Sequence, residues 1–279
     1  MSKNPETGTV YGSPEYKIAS RNAVIRLLVI PVLVYIIWIL EIYLFGGGSV
    51  HVFTYPAGPS LALYTLVACI LVGLIVPVFL MRRAFISGAV NMFQFGFRSL
   101  RRTIPAVVLT GLALYGCVLL LTPPGPVREG FTQSFLLMLP TGIAAVMLCW
   151  VLVGTHVQAL VRHGGAAISI PVGIVVTGIL FGLAMFVLVP VPRSPDLISL
   201  YLGAGMLMAL FFFAVRDIYA TSIAVTGCVV FLFSDSIPVT GLSQVLLWIS
   251  GLAMATAGIL VGIHWYLSLH FVTIEIPRE

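Results

Sequence analysis

The chain reads as an all-α, polytopic integral membrane protein of eight transmembrane helices, with both termini cytoplasmic. Three observations predict this. Of its 279 residues, 60% are hydrophobic and 8% charged, and the mean hydropathy is +1.13, values of the membrane class. Eight apolar stretches, roughly 27–45, 59–81, 104–122, 134–161, 166–190, 197–215, 218–234 and 242–268, reach or approach the ~20 residues needed to cross a ~30 Å hydrocarbon layer. The basic residues between them divide unevenly. Counting from an inside start, one side holds Lys3, Lys17, Arg21, Arg26, Arg82, Arg83, Arg98, Arg101, Arg102, Arg162, Arg216 and Arg278, and the other only Arg128 and Arg193. The positive-inside rule makes the crowded side cytoplasmic and the localisation the cell membrane.

Residues 1–22 form a polar tail, and 23–279 read as one helical bundle. The first apolar run is too long for a signal-peptide core and is expected to stay as an uncleaved helix. It carries Pro31, a predicted kink, and ends with Trp38, Tyr43 and Phe45 as interface anchors. Glu41 lies about a turn from that outer end and is expected to snorkel outward. Between the second and third stretches, Phe85, Ile86, Val90, Phe93, Phe97 and Leu100 fall near helical spacing, bracketed by Arg82, Arg83, Arg98, Arg101 and Arg102. This predicts an amphipathic helix at about 84–102, lying in the interface with its arginines on anionic headgroups. The short turn at 162–167 makes the fourth and fifth helices antiparallel neighbours. Arg216-Asp217 forms a tight turn between the sixth and seventh.

Cys69, Cys117, Cys149 and Cys228 are scattered singly in apolar stretches, which predicts buried small hydrophobes rather than a disulfide framework. None of the nine acidic residues falls at mid-membrane, and neither does any Lys or Arg, which argues against an ion-coupled pump. His156 and His264 are the two imidazoles that could face each other inside the bilayer and so the only candidates for haem or zinc. No metal, cofactor or nucleic-acid partner is expected. The lipid bilayer is the expected partner.

Three segments read together bear a likeness to a known group. HVQALVRHGG supplies Arg162, VVTGILFGLAM supplies Phe181, and AVRDIYATSIAVTGCVVF leads into the seventh stretch. Their order resembles the CPBP family, the CAAX prenyl-protease and bacteriocin-processing intramembrane peptidases, over about 134–234. That family uses Glu-Glu-x-x-x-Arg, then Phe-x-x-x-His, then His-x-x-x-Asn. Here its paired glutamates fall on Val157 and Gln158, its histidines on Met185 and Thr226, and its asparagine on Val230. The resemblance implies a pseudoenzyme. The former active-site positions, with Arg162 and Phe181, would line a cavity suited to binding a hydrophobic or lipidated peptide, a lipid or a partner helix, because the acids and imidazoles that activate water are gone. A small-molecule or lipid transporter is the first alternative, motivated by 27 glycines and helix prolines. A CPBP-like peptidase with an altered active site is the second.

Overall fold

The computed structural model describes residues 21–47, 52–53, 56–86, 95–122, 124–161, 165–188, 195–233 and 245–271. Every regular element among them is helical, and they form eight rods. α1 is Arg21–Ile42, extended by wide turns over Tyr43–Gly47. α2 covers 58–86 as one rod whose middle, Thr65–Ile75, is wound in wide π-type turns. α3 is Leu100–Leu121, and α4 covers 126–161 with a second wide section at Val146–Gly154. α5 is Ala166–Leu188, α6 Pro195–Val215, α7 Ile218–Phe233 and α8 Leu246–Phe271. Seven rods are long and apolar enough to cross a membrane, and α7, at 16 residues, is the shorter apolar helix. The chain is therefore a multi-pass helical membrane protein.

Contacts fix which way each rod runs. At one end Gly58 lies beneath Trp248 and Gly46 beside Phe53 and Leu188. There, too, Phe131 meets Phe231 and Tyr201 meets Phe233. At the other end Thr103 meets Asp217 and Tyr219 meets His264. α7 thus runs from one end of the bundle toward the other, parallel to α3 and antiparallel to α4. The described chain starts and finishes at the end that carries Arg98, Arg101 and Arg102.

α4 is the axle. In its most apolar window 89% is buried inside the protein, whereas α3 manages 6%. Lipid tails are as apolar as leucine, so helices associate here through close packing rather than a hydrophobic drive. Small residues supply the closeness. A Cβ on Gly73 of α2 would stand 2.5 Å from the Ala144 Cβ, and one on Gly154 would stand 2.6 Å from Thr177 Cγ2. Gly178 of α5 and Gly205 of α6 touch backbone to backbone. Hydroxyls in this dry interior bond back along their own helices: Thr177 to Gly173 O at 2.7 Å, Thr226 to Ser222 O at 2.7 Å and Thr256 to Leu252 O at 2.8 Å. Lipid offers no alternative partner. Arg128 donates to Leu119 O at 2.7 Å and to Thr122 O, satisfying carbonyls at the end of α3.

Two expectations change. No single amphipathic helix occupies 84–102. Residues 84–86 finish α2, 100–102 begin α3, and between them Phe95 ends a 3-10 turn, Gly96 turns the chain at φ 83° and 97–99 are irregular. Residues 87–94 lie outside the described ones. Phe95 and Phe97 are buried within the protein; helical spacing of the aromatics gave way to a glycine turn that aims both rings inward. Glu41 departs from a snorkelling pose only in part: the residue stays partly exposed, but its Oε2 is sealed from solvent with no hydrogen-bond donor.

Close approach at the axle predicts an asymmetry between glycines. Gly73→Ala should lose about 1–3 kcal/mol to overpacking. Gly251→Ala on α8, where nothing lies within 4 Å of the new Cβ, should gain up to about 1 kcal/mol from helix propensity. Thermal unfolding in detergent micelles measures both.

Candidate functional site

The chain reverses between α6 and α7 within two residues, and the polar chemistry of the arginine-bearing end gathers there. Arg216 takes φ 52° and its N–H closes back on Phe212 O at 2.7 Å, the left-handed cap that ends α6. A non-glycine residue in that conformation costs about 1–2 kcal/mol, so the side chain must do something glycine could not. Its Nη2 donates to Gln158 Oε1 of α4 at 2.8 Å, and its guanidinium sits 4.6 Å from the Phe213 ring centre, within cation–π range. Burial, then the neighbouring Arg98, lowers the guanidinium to about 10; it stays cationic at neutral pH.

Asp217 begins α7 and is 1% exposed. One carboxylate oxygen accepts the Ala220 N–H at 3.0 Å, and the other accepts the Thr103 hydroxyl of α3 at 2.6 Å. It is an N-cap whose charge favours the positive end of the helix dipole. With both oxygens engaged, it serves as a clasp joining α3 to α7.

Against this clasp lies the Phe95–Ser99 strap. Gly96 O accepts the Ile218 N–H at 3.2 Å. A side chain at Gly96 would press on Ile218, Phe212 and the Arg216 carbonyl, so close approach and positive φ both require glycine. Phe95 stands 6.4 Å from the His156 ring and Phe97 5.3 Å from the His264 ring, centre to centre. Tyr219 Oη is 3.0 Å from His264 Nδ1. His156 Nδ1 donates to Leu152 O at 2.6 Å, since a carbonyl only accepts. The result is an aromatic mouth edged by hydrogen-bonding groups and filled by the chain's own two phenylalanines.

The residues singled out by sequence distribute along the bundle rather than around one hollow. Val157 and Gln158 are buried at the mouth, with Gln158 beside Gly173 of α5. Phe181 is buried against Trp150, their rings 5.1 Å apart, and Met185 lies a turn farther along α5. Thr226 is buried against Gly142 of α4, roughly 24 Å along that rod from Gln158 at 1.5 Å per helical residue. Val230 is a turn beyond it and also buried. Arg162 lies outside the described residues. Of the interface arginines, Arg82, Arg101 and Arg102 are exposed, Arg98 is half-buried beside the mouth, and nothing is described of the Arg83 side chain. His156 and His264 both reach the mouth, each against a phenylalanine of the strap. Among the described residues no group of three or more His, Cys, Asp or Glu could hold a metal ion.

Sequence reasoning gave no site role to Asp217, Thr103, Tyr219, Phe95 and Phe97. The Arg-Asp pair between two apolar runs carried a signal, since aspartate at a helix start is a cap. The Phe-Gly-Phe triplet carried another, because a glycine between aromatics interrupts a helix. Compared with known proteins, the chain matches no family model, no curated protein and no solved structure.

Because the Thr103 hydroxyl bonds a buried carboxylate, Thr103→Val should cost about 1.5–3 kcal/mol. Thr110→Val, on the same helix two turns beyond the clasp, should stay within about 0.5 kcal/mol. Paired unfolding curves in one detergent separate the two.

Proposed function

We propose that the protein is a non-catalytic membrane receptor for a short hydrophobic peptide segment, taken up at the arginine-bearing mouth. The carrying observation is the strap. A tightly turned Phe-Gly-Phe stretch already sits there, held by a backbone hydrogen bond to Ile218 and by ring contacts to His156 and His264. A mouth that packs two aromatic side chains around a glycine suits a peptide ligand with the same alternation, with backbone bonding for affinity and ring pockets for specificity. Arg98, Arg101, Arg102 and Arg216 around it favour a cytoplasmic orientation. In this reading α7, about 24 Å long at 1.5 Å per residue, is the eighth crossing, and both termini are cytoplasmic.

The same reading accommodates descent from the CPBP peptidases. Val157, Met185 and Val230 stand at positions where that family needs charged or polar catalytic groups, and Thr226 is about 24 Å from Gln158 along α4 at helical rise. Asp217, the one buried carboxylate at the mouth, is consumed by its two hydrogen bonds. The imidazoles of His156 and His264 are the bases that remain there, each packed against a ring of the strap.

The test uses the protein in nanodiscs and a fluorescent octapeptide, MFQFGFRS, the sequence of residues 92–99. Phe95→Ala/Phe97→Ala should bind it at least about tenfold more tightly than wild type, because a strap that competes for the mouth reduces apparent affinity by the fraction of time it occupies it. Gln158→Ala, which releases Arg216, should weaken capture, whereas Thr226→Ala should leave it unchanged. Absence of peptide binding by a double variant that still unfolds cooperatively refutes the assignment. An N-terminal tag should react with an impermeant reagent only after cells are opened.

A further inference from the structure

Three arginines stand together where the strap leads into α3. Arg98 is half-buried on the strap, and Arg101 and Arg102 are exposed in the first turn of the helix. That turn holds no acidic residue. Thr103, the next residue, bonds Asp217 at 2.6 Å, so Arg102 and Arg216 each lie one residue from the same hydrogen bond. The clasp's carboxylate gives one oxygen to Thr103 and the other to the Ala220 N–H. Cations therefore outnumber acids at the base of α3, and they are held there by a fixed contact between two helices.

Above them the helix is apolar and open. Ile104, Val108, Leu112 and Tyr115 follow Arg101 at steps of three and four residues, which set them in one line along the rod. All four are exposed, between 51% and 63%. Beside the line, a Cβ on Gly111 or Gly116 would meet nothing within 4 Å. Leu112 lies about 16.5 Å above Arg101 at 1.5 Å per residue, close to the ~15 Å that one leaflet contributes to a ~30 Å hydrocarbon layer. A soluble anion would use the arginines and leave this line idle. A lipid uses both.

We propose that the base of α3 holds one lipid with an anionic phosphate headgroup. The phosphate rests on Arg101 and Arg102 with Arg98 beside them, where guanidinium forks match pairs of phosphate oxygens. One acyl chain lies along Ile104, Val108 and Leu112. Basic residues spread along a membrane rim draw anionic headgroups as a diffuse field; three arginines within five residues, set beneath an apolar line of one leaflet's depth, select a single molecule. The site does not depend on peptide capture at the mouth, and either can fail without the other.

The experiment is native mass spectrometry of the full chain from detergent, mixed with equal amounts of phosphatidylglycerol and phosphatidylcholine bearing the same acyl chains. Wild type should retain one phosphatidylglycerol at least about tenfold more often than one phosphatidylcholine, as expected for two or more arginines on one anionic headgroup. Arg101→Gln/Arg102→Gln should lose that preference, while Arg82→Gln, exposed at the end of α2, keeps it. Phosphatidylglycerol should also raise the unfolding temperature of wild type and not of the double variant, whose own cooperative unfolding shows that it folds. Equal retention of the two lipids by wild type overturns the site. An equal loss in Arg82→Gln reduces it to the general field of the rim and overturns it too. Displacement of the lipid by glycerol phosphate or by a hexaglutamate peptide makes the patch one for soluble anions, which also refutes the proposal.

Discussion

The fold depends on one constraint, the enclosure of α4 over most of its length. A helix buried over nearly its whole length must be approached from all sides, and in lipid those approaches succeed only where side chains are small enough for backbones to touch. Gly73, Gly154 and Gly173 mark the points where α2, α5 and α6 close on it or on each other. Large residues fill what lies between. Trp150 reaches Phe181, and Tyr35 of α1 donates to Leu180 O at 2.6 Å. The polar groups in this interior are mostly threonines, which can satisfy themselves along their own helices.

Much of this was legible from sequence, and for identifiable reasons. Run length and the distribution of arginines located the rods, since hydrocarbon thickness and charge cost leave few alternatives. The wide turns in α2 and α4 were not legible, because π-type winding has no strong composition signal. Phe85 to Leu100 carried helical spacing and still yielded a strap. Periodicity reports what a helix could bury, and it cannot weigh a single glycine that a neighbouring turn needs at φ 83°.

Of the candidate site, Gln158 and the two histidines were legible in the sequence, whereas Asp217, Thr103, Tyr219, Phe95 and Phe97 were not. Val157, Gln158, Phe181, Met185, Thr226 and Val230 are all buried, as a reading of inward faces implies. Sequence gives the rotation of a residue about its helix, but the axial offset between neighbouring rods comes from loop lengths and crossing angles. That offset carries Thr226 away from Gln158. Glu41 illustrates the reverse case. Its neighbours at one turn on either side, Trp38 and Phe45, pack on protein, and one carboxylate oxygen, Oε2, is sealed with them while the residue stays partly exposed.

α3 stands apart from the rest. It packs along α7 through the Thr103 clasp and through Leu114 resting on Gly227, is held at its end by Arg128 of α4, and is otherwise mostly exposed. A rod with so few protein contacts takes its tilt from the thickness of the surrounding bilayer. The strap that fills the mouth is the stretch of chain just before it, so the dimensions of the membrane bear on the seating of two phenylalanines at the far side of the clasp.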